Sequence, residues 1–448
     1  MKVRNAKLDI RQLLDERPVS GLQLRVFFLC FLVALLDGFD TQAIAYTGPA
    51  IAKAFGMSPG DMTYIFISGT LGMALGAMGL GMIGDRIGRR SAILGSIVLF
   101  GVFSLAIAFA QSPTQIVALR FLTGLGMGGA TPVLLAMAAE YSPSRLRGAV
   151  LTGVLLGLPA GAMVGGVLAA GWMPVIGWQG IYIVGGAIPL AVLLVCLAFL
   201  PESAQFLASR GRPDDVSRAR VLVARMIGKP VAQDTAFTVP AAVAKGSVGA
   251  LFTPEFRTST IAIWAIYLLN WIAWFMFLLW LPTALTSMGL DQPTAALGTV
   301  MVNAAFIVFA IPLSIVLPRI DVRRTLTVMF VIGIAVCAGL ALVNTNWTVV
   351  FALVAAAGFG IGGQQIALNY LISSTYPTEL RATGTGWAIG IGRTGAIVGS
   401  AAGGWLLQAG GTSGYFAGLA VPLMLAAVAV VLVRTRRQAP VEAFAGGH

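Results

Sequence analysis

Charge is scarce in this sequence. Asp, Glu, Lys and Arg together make up 10% of the 448 residues, where a soluble domain carries roughly a quarter. Histidine is nearly missing. The single one, His448, is the last residue, which leaves no histidine proton relay or histidine metal site. Three cysteines, Cys30, Cys196 and Cys337, lie in apolar runs without metal-ligand spacing, so they read as small buried hydrophobes. The opening MKVRNAKLDIRQLLDERP is polar and acid-bearing, unlike a signal peptide. A second domain of output size is lacking, as is any Ser-Lys or metal constellation. A membrane sensor and an intramembrane enzyme are therefore disfavoured, and no cofactor is expected.

Apolar residues fill the space instead: 58% of the chain is hydrophobic and mean hydropathy is +0.88. Runs of about 20 apolar residues follow one another, each able to cross ~30 Å of hydrocarbon. The runs are continuous and do not alternate, which excludes a β-barrel. The spacing predicts spans near 24–46, 63–83, 91–110, 115–138, 146–171 and 179–200. A second set falls near 260–284, 294–317, 325–344, 347–373, 382–409 and 412–433. The fold class is therefore an all-α, multi-pass membrane protein of twelve transmembrane helices, with the lipid bilayer as its surroundings. A net charge of +12 would suit nucleic acid, but the distribution argues otherwise. Of 29 Lys and Arg, Arg120 and Arg393 lie within spans and Lys53 on one side; the other 26 fall in the tails and the loops of the opposite side. This bias predicts both termini in the cytoplasm and no nucleic-acid partner.

The chain repeats itself. A shift of 234 residues lays GLGMGG (Gly124–Gly129) on GFGIGG (Gly358–Gly363). The same shift pairs Pro143 with Pro377, Arg147 with Arg381, Gly161 with Gly395, Gly165 with Gly399, and Arg89-Arg90 with Arg323-Arg324. Close helix packing alone explains recurring glycines, but not the prolines and arginines. The expected organisation is two pseudo-symmetric six-helix bundles, 1–200 and 260–448, with a cytoplasmic linker at 201–259 and a site near the midplane between them. The linker's RPDDVSRARVLVARM reads as a short helix.

Four charged residues stand deep inside spans, away from their ends. Asp37 and Asp40 in LLDGFDTQ share one face of the first span at i, i+3. A charge there costs from ~2.5 to more than ~10 kcal/mol, so it faces a cavity or a partner. At ~1.5 Å rise per residue, both lie roughly 20–24 Å from the start of their span, a depth that Arg120 of the fourth span shares. Asp37, Asp40 and Arg120 are candidates for proton coupling. Arg393 lies near mid-depth of the eleventh span. Its guanidinium either grips a substrate carboxylate through two parallel hydrogen bonds or pairs with Asp37 or Asp40 as a structural tie. Asn270 and Trp271, beside Tyr267 and Trp274 on the seventh span, and Gln364, Gln365 and Asn369, beside Tyr370 on the tenth, could stack on and bond a ring. Helix packing is an equally common use of such groups.

The loop after the second span reads GMIGDRIGRRSAI, Gly81 to Ile93. Its pattern Gly-x-x-x-Asp-Arg-x-Gly-Arg-Arg resembles the loop signature of the major facilitator superfamily. The resemblance implies a conformational latch of Gly81, Asp85, Arg86, Gly88, Arg89 and Arg90. Asp85 would sit against the N-terminus of the helix that starts near Arg381; the plain alternative is that the arginines only set topology. The second copy, PRIDVRR, has lost the pattern. Further traits of the superfamily are Arg120 with the glycines after it, EYSPSRLRG (Glu140–Gly148) and PES (Pro201–Ser203). DGFD followed by PAIAKAFG, and YPTELRATGTGWAIGIGRTGAIVG with its arginine, are similar to the aromatic acid:proton symporter family. That resemblance implies a monomeric symporter importing an aromatic carboxylate such as benzoate, a hydroxybenzoate or protocatechuate with protons across a bacterial inner membrane. The rival readings are a proton-driven drug exporter, which would take cationic or neutral ligands, and a sugar-like porter, which would not need Arg393.

Overall fold

Within a bilayer every backbone polar group must be satisfied inside the chain, and apolar runs this long therefore become helices. The computed structural model describes residues 7–231, 236–238, 247–343 and 346–434. A short strand β1 (Lys7–Asp9) and helix α1 (Ile10–Asp15) precede α2 (Gly21–Phe55), α3 (Pro59–Ile87), α4 (Arg89–Ile107), α5 (Pro113–Tyr141), α6 (Arg147–Leu155) and α7 (Gly157–Phe199). The polar linker carries α8 (Ala204–Arg210), α9 (Pro213–Ile227), strand β2 (Ala236–Thr238), parallel to β1, and a 3-10 turn, Val248–Phe252. Then come α10 (Arg257–Ser287), α11 (Gln292–Val316), α12 (Val322–Leu342), α13 (Trp347–Ala357), α14 (Gln364–Thr375) and α15 (Thr378–Val431). Starts are marked by capping side chains. Ser20, Ser58 and Ser112 cap α2, α3 and α5, while Asp291, Asp321 and Asn346 cap α11, α12 and α13.

Among the described residues ten helical segments are long and apolar enough to cross a membrane. Two of them, Arg147–Phe199 and Glu379–Val431, have 53 residues each, or ~80 Å of helix, more than twice the hydrocarbon thickness. Each turns back at one glycine in a left-handed conformation, Gly177 (φ 68°) or Gly411 (φ 60°). Each therefore holds two passes, and the twelve-pass, two-bundle fold results. Gly177 and Gly411 are themselves 234 residues apart. The repeat extends to packing. A Cβ at Gly161 would fall 1.8 Å from the Leu35 carbonyl of α2, and one at Gly395 would fall 2.3 Å from the Leu268 carbonyl of α10.

The tenth span differs from one uninterrupted helix. Between α13 and α14, Gly358–Gly362 form a π turn, a device common at functional sites. Residue His448 and the surroundings of Gly81, which lies in α3, are outside the described residues.

Two apolar clusters show how the halves meet. One includes Ala43, Ile51, Phe66 and Trp178 of the first half together with Tyr267, Trp280, Leu285 and Tyr415 of the second. It closes the face to which α2 runs out and from which α3 starts. Phe66 meets Trp280 edge-on there, at 4.5 Å between ring centroids. Gln292 Nε2 donates to the Tyr46 carbonyl (3.3 Å), and Thr63 Oγ1 to that of Ala401 (3.5 Å). The second cluster lies toward the arginine-rich face. Its residues, among them Ile10, Val26, Met137, Tyr141, Ala204 and Val223, come from the first half, α1 included, and from the linker. Among the described residues these two clusters therefore join the halves at one face and not at the arginine-rich one.

Candidate functional site

The first-half part of the site is built on α2, α4 and α5. Asp40 is fully buried and forms an ion pair with Arg120, Nη1 to Oδ2 3.1 Å. Arg120 Nη1 also donates to the Asp40 carbonyl (3.3 Å), and the Ser104 hydroxyl on α4 donates to Asp40 Oδ1. The glycines explain how so large a cation fits: a Cβ at Gly69 of α3 would come within 3.2 Å of its guanidinium. Asp37, one turn earlier and 1% exposed, has a different environment. Its partners are two hydroxyls, Thr41 Oγ1 at 3.3 Å and Thr131 Oγ1 at 2.9 Å. A hydroxyl donates or accepts as required. The pocket of Asp37 can therefore hydrogen-bond the carboxyl with or without its proton, whereas Asp40 is tied to a cation.

Arg393 reaches across the interface from α15. Its Nη1 donates to the carbonyl of Met73, the middle residue of α3, at 3.2 Å. It makes no ion pair within 4.0 Å with either aspartate, so the structural tie weighed from the sequence is not formed in this conformation. The guanidinium is partly exposed, with donors left over.

On the second half, α10 and α14 bring the expected polar groups together in pairs. Tyr267 donates to Asn369 (2.8 Å), Trp271 Nε1 to Gln365 Oε1 (2.8 Å), and Asn270 Nδ2 to Gln364 Oε1 (2.5 Å). Asn270 and Gln364 are buried and satisfy each other, which commits them to joining the helices. Trp271, Gln365 and Asn369 keep open surface. Gly392 leaves room for Trp271; a Cβ there would lie 3.1 Å from the indole. Trp271 thereby borders the residue next to Arg393. The π turn places Gln364 and Gln365 at the start of α14.

The loop signature is arranged otherwise than expected. Asp85 pairs with Arg89 (2.6 Å), and its side chain is 72% exposed. Arg381 Nε donates to the Tyr376 carbonyl (3.1 Å) in its own segment. Among the described residues Asp85 makes no ion pair or hydrogen bond with the helix near Arg381. Arg86 is exposed. Arg89 also pairs with Glu140 (3.1 Å), and Arg90 Nη2 donates to the Leu197 carbonyl (2.6 Å). The acid that does sit at a helix N-terminus is Glu202, which accepts from the backbone N–H of Arg89 (2.9 Å) and Arg90 (3.2 Å) at the start of α4. Burial raises its carboxyl above the ordinary range. Gly88 permits this, since it holds φ 106° and a Cβ there would collide with Glu202. In the second half Asp321 caps the corresponding N–H groups of Arg323 and Arg324 locally.

Sequence reasoning missed Ser104, Thr131 and Met73. Thr41 had a signal, standing one turn after Asp37. Met73 contributes only its backbone and had none.

The model of the Major Facilitator Superfamily matches residues 30–393 and again 263–447. The gallate transporter of Pseudomonas putida is 35% identical, covering 95% of each chain. The 4-hydroxybenzoate transporter PcaK of Pseudomonas putida is 33% identical over 95% of both. The benzoate transport protein of Acinetobacter baylyi is 27% identical over 96% of this chain and 94% of the relative. Among solved structures, the D-xylose-proton symporter superposes with a TM-score of 0.68 at 16% identity, covering 92% of this chain and 97% of that one. A bacterial homolog of the human lysosomal transporter Spinster, inward-facing and unoccupied, gives 0.67 at 14%, covering 93% and 95%. These two likenesses are likenesses of fold.

Proposed function

Since this chain belongs to the Major Facilitator Superfamily, we propose that it is a proton-coupled symporter importing an aromatic carboxylate by alternating access, as a monomer in a bacterial inner membrane. The chain is a transporter and not an enzyme. The relatives named for gallate, 4-hydroxybenzoate and benzoate support the aromatic carboxylate. The arginine-rich face is taken as cytoplasmic, which makes the conformation described inward-open.

One observation carries the reading. Arg393, partly exposed with spare donors, stands at the interface beside Trp271, yet makes no ion pair among the described residues. A carboxylate supplies the missing anion, and its ring finds Trp271, Gln365 and Asn369 on the facing helices. In the cycle, Asp37 takes a proton from the outside and the anion binds Arg393. The bundles then rock, and acid and proton leave inward. Asp40 and Arg120 hold the coupling helix beside Asp37. In the outward-open state Asp85 reaches the N-terminal turn of α15 near Arg381 and latches the closed cytoplasmic face.

The test is uptake of labelled aromatic acids by vesicles holding the purified protein. Accumulation should require an imposed inward proton gradient and collapse with a protonophore. Gradient-independent accumulation, or export of cationic drugs in place of uptake of acids, would replace this reading with the exporter.

A further inference from the structure

The arginine-rich face carries a cleft that the transport pathway does not use. It measures ≈ 510 Å³ and lies where α3 ends, α4 begins and α7 gives way to α8 and α9. Ile87, Leu200 and Val221 give it apolar walls, and Arg90, Arg218 and Arg225 line it. Of its two acids neither is exposed, and Asp215 Oδ2 is buried without a hydrogen bond. Glu202 caps α4, and Asp215 faces Arg210 at 4.0 Å. Arg218 and Arg225 are exposed, seven residues apart on one face of α9, and neither makes an ion pair among the described residues. Ile87 and Val221 are 49% and 50% exposed, and Phe199, at the end of α7, is 51% exposed. Ile87 and Phe199 end the spans α3 and α7, and Val221 lines the cleft beside them from α9.

We propose that this cleft binds the headgroup of an anionic phospholipid, with its phosphate on Arg218 and Arg225 and its glycerol and upper acyl chain on Ile87 and Val221. The pattern of cations over apolar walls decides the class. A soluble phosphate would gain nothing from the walls, and a zwitterionic lipid brings a cation that the arginines repel. Arginines near a membrane surface each favour an anionic lipid, about fivefold apiece. Bound there, the lipid ties α9, and with it the linker between the halves, to the membrane.

The experiment is native mass spectrometry of the full chain released from vesicles of phosphatidylcholine mixed equally with phosphatidylglycerol. The parent protein should retain phosphatidylglycerol in preference. The variant Arg218→Gln/Arg225→Gln, altered at exposed positions and checked for folding by its elution profile, should lose that preference about 25-fold. Arg218→Lys/Arg225→Lys should keep most of it. Adding inorganic phosphate should not displace the lipid. Unchanged retention by the glutamine variant, or displacement by inorganic phosphate, would overturn the proposal; the second result would assign the arginines to a soluble anion.

Discussion

Asp37 and Asp40 lie one turn apart, yet their partners predict different penalties for the same substitution. In Asp40→Asn the buried Arg120, its side chain 4% exposed, loses its counter-ion and keeps only the Asp40 carbonyl and the amide oxygen as acceptors. Breaking one side of a buried ion pair costs roughly 3–5 kcal/mol, because a charge is left uncompensated. In Asp37→Asn the partners are Thr41 and Thr131. One hydroxyl can turn to accept from the new amide, so the cost is that of a neutral hydrogen bond, about 1 kcal/mol. Thermal unfolding of the purified variants in detergent should show Asp40→Asn clearly destabilised and Asp37→Asn close to the parent. The double variant Asp40→Asn/Arg120→Gln should recover much of the loss. Both single variants should fail to accumulate substrate against its gradient, but Asp37→Asn should still exchange it. Equal melting shifts for the two single variants would refute the reasoning, since they would mean that the ion pair is worth no more than two hydroxyls.

Arg393→Ala should fold and yet lose binding of benzoate-type acids, and Arg393→Lys should weaken binding at least about tenfold, because the planar fork is gone; titration calorimetry measures both. Near-parent binding by Arg393→Ala would make the residue structural. Gly161→Ala and Gly395→Ala should each destabilise the protein by about 1–3 kcal/mol, since both push a methyl into a facing helix backbone; matched losses in melting curves check the equivalence of the halves. Asp85→Asn should change stability by under about 1 kcal/mol, its pair with Arg89 being exposed, while slowing turnover more than it weakens binding. Hydrogen bonds from Ser144 hold the Asp15 carboxyl below its usual range. The docking of α1 should therefore be intact at neutral pH and loosen as pH falls below about 4, read by hydrogen exchange over Ile10–Asp15.

Much of this was legible in the sequence because hydrocarbon allows few alternatives. Long apolar runs had to be helices, and an acid or arginine inside one had to find a partner, so depth alone set Asp37, Asp40 and Arg120 together, without telling which aspartate pairs with the arginine. What stayed illegible depends on distant or backbone groups. Nothing in the residues around Gly88 announces Glu202, because the cap is imported from the end of the last span of that half. The pairing of Asn270 with Gln364 could not be told from a ligand-facing role, since the same amides serve both. The resting place of Asp85 depends on which face is open, a choice that local sequence does not encode.

The glycine turns at Gly177 and Gly411 bear on how the protein is made. Each joins the last two passes of its half by a connection in which neither MPVIGWQ (Met173–Gln179) nor QAGGTSG (Gln408–Gly414) contains an ionisable residue. With no charged loop to carry across, each such pair can enter the bilayer together as a helical hairpin instead of helix by helix. These connections offer trypsin no lysine or arginine to cut, and an inserted tag would have to break a turn that only glycine makes without strain.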